Sequence, residues 1–323
     1  MPDLSRLASL PVNPGLAFLF PGQGAQAVGM GADLAAAHPA ARAVFDAADA
    51  ALGVPISRIC FEGPEDELTR TVNTQPAIVT HAVAALAAAL DAGALTHRPA
   101  FVAGHSLGEY AALIVAGAVS FEDGVRLVRE RGRLMQEACD RQPSTMAAVL
   151  GLEPEALRAI CARHDAHVCN INAPGNITIG GTAASVEAAA AAATEAGASR
   201  VVPLSVSGAF HTPLMQSAAD GMRSVLAEVA FADPQPPVVS NVTAQPITSG
   251  GALAEELARQ IVSPVLWAGS VQAMQAAGVA EVIEFGPGKV LTGLVRRIDR
   301  SIGVRNIGTA DDVPATATQE TGS

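Results

Sequence analysis

The chain has 323 residues, of which 50% are hydrophobic and 16% are charged, and its formal net charge is −11. A chain of this length and composition is globular, not disordered, and can form one large α/β domain or two unequal domains. The acidic charge and the 3% content of aromatic residues argue against nucleic acid as the main partner.

The cysteines lie at positions 60, 139, 161 and 169 and contain no Cys-x-x-Cys pair. Their spacing predicts neither a zinc site nor a redox dithiol, and we expect buried thiols in a reducing compartment. The N-terminus has no basic segment followed by an apolar core, and apolar runs such as 82–90 are shorter than the roughly 20 residues that span a bilayer. These features predict a cytoplasmic protein without a membrane partner.

The N-terminal part of the chain contains one short strand and a glycine-rich loop. Residues 1–14 lack periodicity and are predicted to form a flexible arm, and the apolar run 16–20 predicts a strand. The loop at 21–26 resembles a G-x-G-x-x-A dinucleotide fingerprint, but the acidic residue required about 20 positions later would fall inside the helix predicted over 40–52. We therefore expect a tight loop and no bound nucleotide cofactor.

A serine lies at the junction of a predicted strand and a predicted helix. The apolar run 100–103 is followed by Gly-His-Ser-Leu-Gly at 104–108 and then by a helical pattern over 109–116. Gly-x-Ser-x-Gly in this context is typical of the nucleophile elbow of α/β-hydrolases, where larger side chains would collide with the strand or the helix. The hydroxyl of Ser106 would lie at a helix N-terminus, where free N–H groups stabilise a developing oxyanion.

The helix predicted over 122–139 carries an arginine on its apolar face. At about 100° per residue, Arg133 and Glu137 lie on a polar stripe, whereas Arg131 lies among apolar side chains on the opposite side. A buried guanidinium cannot lose its proton and requires an anionic partner. The pattern leaves two alternatives, a structural ion pair or a site for an anionic ligand.

Between residues 144 and 206 the predicted elements follow the order β-α-β-β-α-β. The strands are predicted over 146–150, 167–171, 176–179 and 200–206, and the helices over 154–163 and 183–196. This order is ferredoxin-like and short enough to be an insert in a larger domain. His164 and His167 have no third ligand nearby, so no metal site is predicted there.

His211 is the histidine that the sequence favours as a base for the serine. It lies in a loop bracketed by glycine and proline, directly after a predicted strand, where catalytic residues commonly lie. The alternative is a structural loop histidine. No Asp or Glu between Ser106 and His211 follows a predicted strand convincingly, so the Ser…Asp…His order of hydrolases is incomplete. We predict a Ser-His dyad whose imidazole is oriented by another group.

Together these motifs resemble the malonyl-CoA:acyl-carrier-protein transacylases, the acyltransferases of fatty-acid and polyketide synthesis. The matching segments, in chain order, are Phe-Pro-Gly-Gln-Gly at 20–24, the elbow at 104–109, Arg131, Asn-Ala-Pro at 172–174, Phe-His at 210–211, and Gln260 with Pro-Val-Leu-Trp at 264–267. They extend over about residues 16–300, and their combination is far more specific than Gly-x-Ser-x-Gly alone.

The resemblance implies that Ser106 is the nucleophile and His211 its general base. It implies that the backbone carbonyl of Gln260 orients the histidine, which would explain the missing aspartate. It also implies that the backbone N–H groups of Gln23 and Leu107 form the oxyanion hole.

The resemblance further implies the residues that bind the substrate. Arg131 would hold the malonyl carboxylate through two hydrogen bonds. Asn172 and Phe210 would contact the substrate, and the ring of Phe210 would favour malonyl over methylmalonyl.

The implied reaction is ping-pong transfer of a malonyl group from malonyl-CoA, through Ser106, to the phosphopantetheine thiol of an acyl carrier protein. It implies no metal and no cofactor apart from the coenzyme A substrate.

Arg296, Arg297 and Arg300 are a candidate docking patch for the acidic carrier, with a solvated helix end as the alternative. The alternative functions are a serine thioesterase or esterase and an inactive carrier-protein-binding module. We expect a monomer.

The predicted fold is α/β. An α/β-hydrolase-like large subdomain with a mostly parallel sheet is assigned to 15–143 and 207–308, and an inserted ferredoxin-like small subdomain to 144–206. Residues 1–14 and 309–323 are predicted to be flexible termini.

Overall fold

Two β-sheets and the helices that cover them form the described part of the protein, residues 4–314 of a computed structural model. Its strands are β1 Val12–Phe20, β2 Arg98–Gly104, β3 Thr145–Leu150, β4 His167–Ala173, β5 Asn176–Gly181, β6 Arg200–Pro203, β7 Val238–Val239, β8 Pro246–Ile247, β9 Glu281–Phe285 and β10 Gly303–Ile307. Its α-helices are α1 Ser5–Ser9, α2 Ala32–Ala37, α3 Pro39–Leu52, α4 Ile56–Glu62, α5 Glu65–Thr69, α6 Thr71–Asp91, α7 Gly108–Val115, α8 Phe121–Arg141, α9 Pro154–Arg163, α10 Ala183–Glu195, α11 Gln216–Leu226, α12 Leu253–Gln260, α13 Trp267–Ala276 and α14 Val290–Ile298.

The larger sheet has the strand order β10-β9-β1-β2-β7-β8, and every neighbouring pair is parallel except β7 and β8. The second half of β1, residues 16–20, is buried throughout. A strand without polar alternation is typical of a parallel sheet that is covered on both faces. The prediction of an α/β fold with a mostly parallel sheet is confirmed.

The carboxyl ends of β1 and β2 lie side by side, because Phe20 pairs with Gly104. Open parallel α/β sheets place their ligand sites at this edge. The loop after β1 and the turn that contains Ser106 therefore begin next to each other.

The smaller sheet is antiparallel, with the order β4-β5-β3-β6, and its strands all come from within 144–206. Residues such as Val149 and Ile177 form its own buried core against α9 and α10. The predicted ferredoxin-like arrangement is confirmed. Its last strand ends at Pro203, and residues 204–207 instead line the cleft described below.

A short backbone bridge connects the smaller sheet to the segment that follows α12. Val265 donates its N–H group to the carbonyl oxygen of Cys169, and its own carbonyl oxygen accepts from the N–H group of Ile171, both over 2.9 Å. The insert is thus held directly by residues that lie shortly after Gln260.

The prediction of a flexible N-terminal arm is wrong for the residues that the structure describes. Leu7 of α1 is buried, and β1 begins at Val12 and not at residue 16. The apolar pattern starts late because the first half of β1 contains Pro14 and is partly exposed, and its pairing with β2 shifts register between Asn13 and Ala17.

The C-terminal prediction is wrong in the same way as far as residue 314. Ala310 donates its N–H group to the carboxylate of Asp33 over 2.7 Å, and Val313 is buried. The remaining residues of the two predicted flexible termini, 1–3 and 315–323, lie outside the described residues.

The two longest helices, α6 and α8, pack against each other and have 21 residues each. α6 begins at Thr71, so Gln75 lies within its second turn. Within residues 4–314, no helix is long and apolar enough to cross a membrane.

Candidate active site

A sharp turn between β2 and α7 places Ser106 at the carboxyl edge of the larger sheet. Ser106 has a φ of 53°, in the left-handed region that residues with a side chain seldom adopt. A Cβ atom on Gly104 would lie 1.9 Å from the carbonyl carbon of Gly108, and one on Gly108 would lie 2.2 Å from the carbonyl oxygen of Phe20. Close backbone contacts thus require both glycines, and the strand–turn–helix context of a nucleophile elbow is present.

His211 is the histidine that lies against Ser106. Its Nε2 atom is 2.8 Å from the hydroxyl oxygen of Ser106, and its Nδ1 atom is 2.9 Å from the backbone carbonyl oxygen of Gln260. Because a carbonyl oxygen only accepts, Nδ1 carries the proton and Nε2 can accept the proton of the serine. Within residues 4–314 no carboxylate bonds to this imidazole, so the geometry is that of the predicted dyad.

The imidazole of His211 is neutral at physiological pH. Only 4% of the residue is exposed. Burial, together with the nearby positive charge of Arg131, lowers the pKa of His211 to about 3. The unprotonated form is the one that a general base needs.

Arg131 extends from α8 into the same site, where it is 1% exposed. Its Nη1 atom donates to the side-chain oxygen of Gln75 over 2.8 Å. Its Nη2 atom donates to the side-chain oxygen of Gln260 over 2.8 Å and to the hydroxyl oxygen of Ser106 over 3.1 Å. Neutral groups therefore hold the guanidinium beside the serine hydroxyl.

The charge of Arg131 forms no salt bridge with a carboxylate in the described part of the chain. Its Nε atom is buried and has no hydrogen-bond partner there. Burial lowers the pKa of Arg131, but a guanidinium stays protonated at neutral pH. Of the two alternatives that the helix pattern left, the structural ion pair is not formed, and the site for an anionic ligand remains.

The backbone N–H groups predicted to form the oxyanion hole belong to Gln23 and Leu107, which lie on the two segments that meet at Ser106. Leu107 directly precedes α7, whose N-terminus carries the positive end of the helix dipole. Gln23 belongs to the loop after β1, and this loop approaches the elbow so closely that a Cβ atom on Gly22 would lie 2.7 Å from the carbonyl oxygen of His105. Gln23 and Leu107 both line the cleft, and neither N–H group donates to an acceptor within residues 4–314.

A cleft of about 500 Å³ leads to these groups. The elbow and the loop after β1 line it together with residues 204–207, which follow the last strand of the smaller sheet. Phe210 also lines this cleft and is 8% exposed.

Asn172, predicted to contact substrate, is not among the described residues that line the cleft. Its side-chain oxygen lies 3.0 Å from Nε2 of His105. Asn172, on β4, therefore contacts the residue that precedes the nucleophile, and its contact with substrate stays a prediction.

Three polar residues that the sequence did not single out support the site. Asn241 accepts from the backbone N–H group of Ser106 and donates to the carbonyl oxygen of Gly104, both over 2.6 Å. Glu109 accepts from the backbone N–H group of Asn241 over 3.0 Å, and Gln75 anchors Arg131. Burial raises the pKa of Glu109, whereas the hydrogen bonds that it accepts from Asn241 and Gln260 lower it; because both partners donate, Glu109 accepts as the carboxylate. Of these three residues, only Glu109 gave a signal in the sequence, as a carboxyl group in the first turn of an otherwise apolar helix.

The other potential nucleophiles and metal ligands do not form a second centre in the described part of the chain. No group of three or more His, Cys, Asp or Glu side chains there could hold a metal ion. The four cysteines are buried and free. Burial raises the pKa of Cys60 to about 12 and the pKa values of Cys139 and Cys161 to about 11, so these thiols are poor nucleophiles at neutral pH.

The arginines at 296, 297 and 300 lie near the amino ends of the parallel strands of the larger sheet, whereas Ser106 lies at their carboxyl ends. α14 starts after the carboxyl end of β9 and runs back to the start of β10, where Gly303 pairs with Glu281 at the beginning of β9. β9, β1 and β2 are parallel, so the C-terminus of α14 is remote from the cleft. The fold does not favour these arginines as a docking patch for a partner that reaches Ser106.

The comparisons with known proteins agree with this geometry. The family model described as "Acyl transferase domain" matches residues 17–321. The chain is 45% identical over 292 residues to the malonyl CoA-acyl carrier protein transacylase of Bacillus subtilis (strain 168), which covers 89% of this chain and 91% of the relative. The crystal structure of an acyl carrier protein S-malonyltransferase from Vibrio cholerae O1 biovar eltor matches with a TM-score of 0.89 at 40% identity, over 92% of this chain and 98% of that chain.

A further solved structure contains a malonyl-transacylase in complex with its type II PKS acyl-carrier protein. It matches with a TM-score of 0.88 at 39% identity, over 92% of this chain and 97% of that chain. The chain therefore belongs to the acyl transferase domain family, as a member of its malonyl CoA-acyl carrier protein transacylase group.

Proposed function

We propose that this protein transfers a malonyl group from malonyl-CoA to the phosphopantetheine thiol of an acyl carrier protein, through an ester on Ser106. The observation that carries the proposal is the position of the Arg131 guanidinium, 3.1 Å from the serine hydroxyl oxygen. In a malonyl thioester one methylene separates the carboxylate carbon from the reacting carbonyl carbon, a distance of about 2.5 Å. A cation that binds this carboxylate must therefore lie directly beside the nucleophile, as Arg131 does.

In the first half-reaction, Nε2 of His211 takes the proton of Ser106 while the serine oxygen attacks the thioester carbonyl carbon. The resulting oxyanion accepts hydrogen bonds from the backbone N–H groups of Gln23 and Leu107. Collapse of this intermediate breaks the carbon–sulfur bond, and the coenzyme A thiolate leaves with the proton from His211. Malonyl-Ser106 and the free thiol of coenzyme A are the products.

The second half-reaction runs the same steps in the reverse sense. His211 takes the proton of the carrier's phosphopantetheine thiol, and the thiolate attacks the ester carbonyl carbon of malonyl-Ser106. The serine oxygen then leaves and recovers the proton from His211. Neither half-reaction requires a metal ion or a redox group, so we propose that malonyl-CoA and the carrier protein are the only small-molecule and protein substrates.

Three hydrogen bonds prepare the site for these two half-reactions, one at His211 and two at Arg131. The carbonyl oxygen of Gln260 keeps the proton on Nδ1 of His211, so the imidazole presents its free lone pair to Ser106. The hydrogen bonds that the guanidinium of Arg131 donates to Gln75 and Gln260 fix its position without neutralising its charge. All three are set before substrate binds, which lowers the cost of reorganisation in the transition state.

The carrier protein is the partner that this chemistry requires, and the solved malonyl-transacylase complex supports it. We expect the protein to act as a monomer in the cytoplasm, in fatty-acid or polyketide synthesis. A thioesterase would use the same serine and histidine but would pass the acyl group to water.

Intact-mass spectrometry separates these possibilities. Incubation with malonyl-CoA should add one malonyl group, Ser106→Ala should abolish the adduct, and Ser207→Ala, which alters another serine of the cleft, should retain it. Addition of a carrier protein bearing phosphopantetheine should move the malonyl group to the carrier. Loss of the adduct to water faster than to any carrier would instead identify a thioesterase, and absence of an adduct would identify an inactive module.

A further inference from the structure

Glu109 is a buried carboxyl group that the proposed reaction does not use. It lies in the first turn of α7 and is 1% exposed. One of its oxygens accepts from the backbone N–H group of Asn241 over 3.0 Å, and the other accepts from the side-chain amide of Gln260. Both neighbours donate to the carboxyl group. Because Asn241 follows β7 and Gln260 ends α12, Glu109 connects these two segments.

The contact with Gln260 determines which way its side-chain amide faces. The amide nitrogen donates to Glu109 and, over 2.9 Å, to the carbonyl oxygen of Ser106. The amide oxygen is therefore left to accept from Nη2 of Arg131, over 2.8 Å. A reversed amide would place its NH₂ group against the guanidinium and its oxygen against the carbonyl of Ser106, so that donors face donors and acceptors face acceptors.

We propose that Glu109 is a positioning residue for acyl transfer: through the amide of Gln260 it holds the guanidinium of Arg131 in place for the carboxylate of the substrate. The inference rests on the proposed function, because that function assigns the substrate carboxylate to Arg131. Glu109 touches neither the hydroxyl of Ser106 nor the imidazole of His211, and its effect is exerted on the selection of the acyl group.

Glu109→Gln tests this role because it preserves the shape of the side chain and converts one of its two acceptors into a donor. The backbone N–H group of Asn241 is fixed, whereas the amide of Gln260 can rotate, so the new NH₂ group should face Gln260 and reverse its amide. Arg131 then loses an acceptor. The rate of Ser106 acylation by malonyl-CoA, divided by the rate with acetyl-CoA, should fall about 10–100-fold, the effect of losing one hydrogen bond to a charged group.

Glu256→Gln is the matched control. Glu256 is also a buried carboxyl group and lies on α12, but it contacts the hydroxyl of Ser240 and, over 2.8 Å, the guanidinium of Arg259. The malonyl-to-acetyl ratio of this variant should equal that of the unchanged protein.

Gln260→Met supplies a second, independent variant. It removes the amide but keeps the backbone carbonyl that holds His211, so the ratio should fall in this variant as well. If Glu109 acts through Gln260, then Glu109→Gln should lower the ratio little further in the Gln260→Met background. Should Glu109→Gln fail to fold, Glu109→Asp, whose shorter side chain withdraws the carboxylate from the amide of Gln260, is measured in its place.

The side-chain N–H NMR resonance of Arg131, assigned with Arg131→Lys, gives a readout that does not depend on turnover. It should shift in Glu109→Gln and stay unchanged in Glu256→Gln. Equal losses toward both acyl donors with an unshifted resonance would overturn the proposal, as would independent effects of the two substitutions on the ratio. If the unchanged protein is not acylated by malonyl-CoA, the proposed function fails, and the resonance still decides whether Glu109 positions Arg131.

Discussion

Arg131 and Ser106 share a hydrogen bond of 3.1 Å, so the group that would bind the substrate's charge also touches the group that would attack its carbonyl carbon. The bond joins α8 to the elbow after β2, and it forms in a site with no carboxylate bonded to the guanidinium among the described residues. A ligand carboxylate can replace the hydroxyl as the acceptor of Nη2 and leave the serine free to react.

Arg131→Ala should abolish efficient acylation by malonyl-CoA while the fold is retained. Loss of a buried, charge-assisted contact costs about 2–5 kcal/mol of transition-state binding. Arg131→Lys should not restore the rate, since an ammonium cannot make the two-pronged contact. Arg133→Ala is the control, because Arg133 is exposed on the same helix and pairs with Glu130 and Glu137. Unchanged malonyl-CoA kinetics in Arg131→Ala would show that the carboxylate binds elsewhere.

His211→Ala should slow acylation about 10²–10⁴-fold, the usual contribution of a positioned base. His97→Ala, which alters an exposed histidine before β2, should have no such effect. The comparison is made by single-turnover acylation with both variants at one pH.

The pH dependence of acylation should reflect the buried state of His211. Burial lowers its pKa from 6.5 to about 3, so the folded protein keeps a neutral base where an ordinary histidine becomes protonated. The value of kcat/KM for acylation, which reports the free enzyme, should stay level between about pH 5 and pH 7. In the window between these two pKa values the unfolded chain binds more protons, so the contribution of His211 to stability rises with pH and is complete above 6.5. Loss of half the activity near pH 6.5 would contradict the burial argument.

Phe210→Ser should weaken the preference for malonyl-CoA over methylmalonyl-CoA. Phe210 lines the same cleft as Ser106, and we expect its ring to fill the space that a methyl group on the substrate would need. Overpacking of this kind costs about 1–3 kcal/mol, and one methyl group gives about 10–200-fold discrimination. Competition between the two substrates on both proteins measures the change, which should come mainly from faster methylmalonyl transfer. An equal loss toward both substrates would make Phe210 a packing residue.

The two ends of α14 offer a paired test of carrier docking. Lys289 is exposed at the N-terminus of α14, near the carboxyl ends of the parallel strands, where the cleft opens. Arg297 lies near the C-terminus of the same helix. Lys289→Glu should raise the KM for an acidic carrier protein without changing that for malonyl-CoA, and Arg297→Glu should change neither. A raised carrier KM for Arg297→Glu alone would restore the docking patch inferred from the sequence.

The sequence predicted those parts of the site that depend on local pattern. Ser106 was identifiable because strand, turn and helix follow one another within a few residues, and Arg131 because helical periodicity placed it among apolar side chains. Asn241 and Gln75 were missed because their roles depend on partners more than 50 positions away in the chain, Ser106 and Arg131. No local pattern distinguishes them from the other polar residues of the chain.

The fold was predictable to a similar degree and for the same reason. The elements of the small sheet are short segments separated by recognisable turns, and their predicted order was correct. β8 and the first half of β1 were missed because they contain proline and lie partly exposed, so their pairing with β7 and β2 depends on the rest of the sheet.

The backbone bridge at Val265 restricts how this molecule can move. A rotation of the insert that widened the cleft would pull on Val265 through its hydrogen bonds to β4, and so on the end of α12 that precedes it. The carbonyl oxygen of Gln260, which orients His211, lies on that end. A displacement of the insert is therefore coupled, through Val265, to the carbonyl group that orients His211.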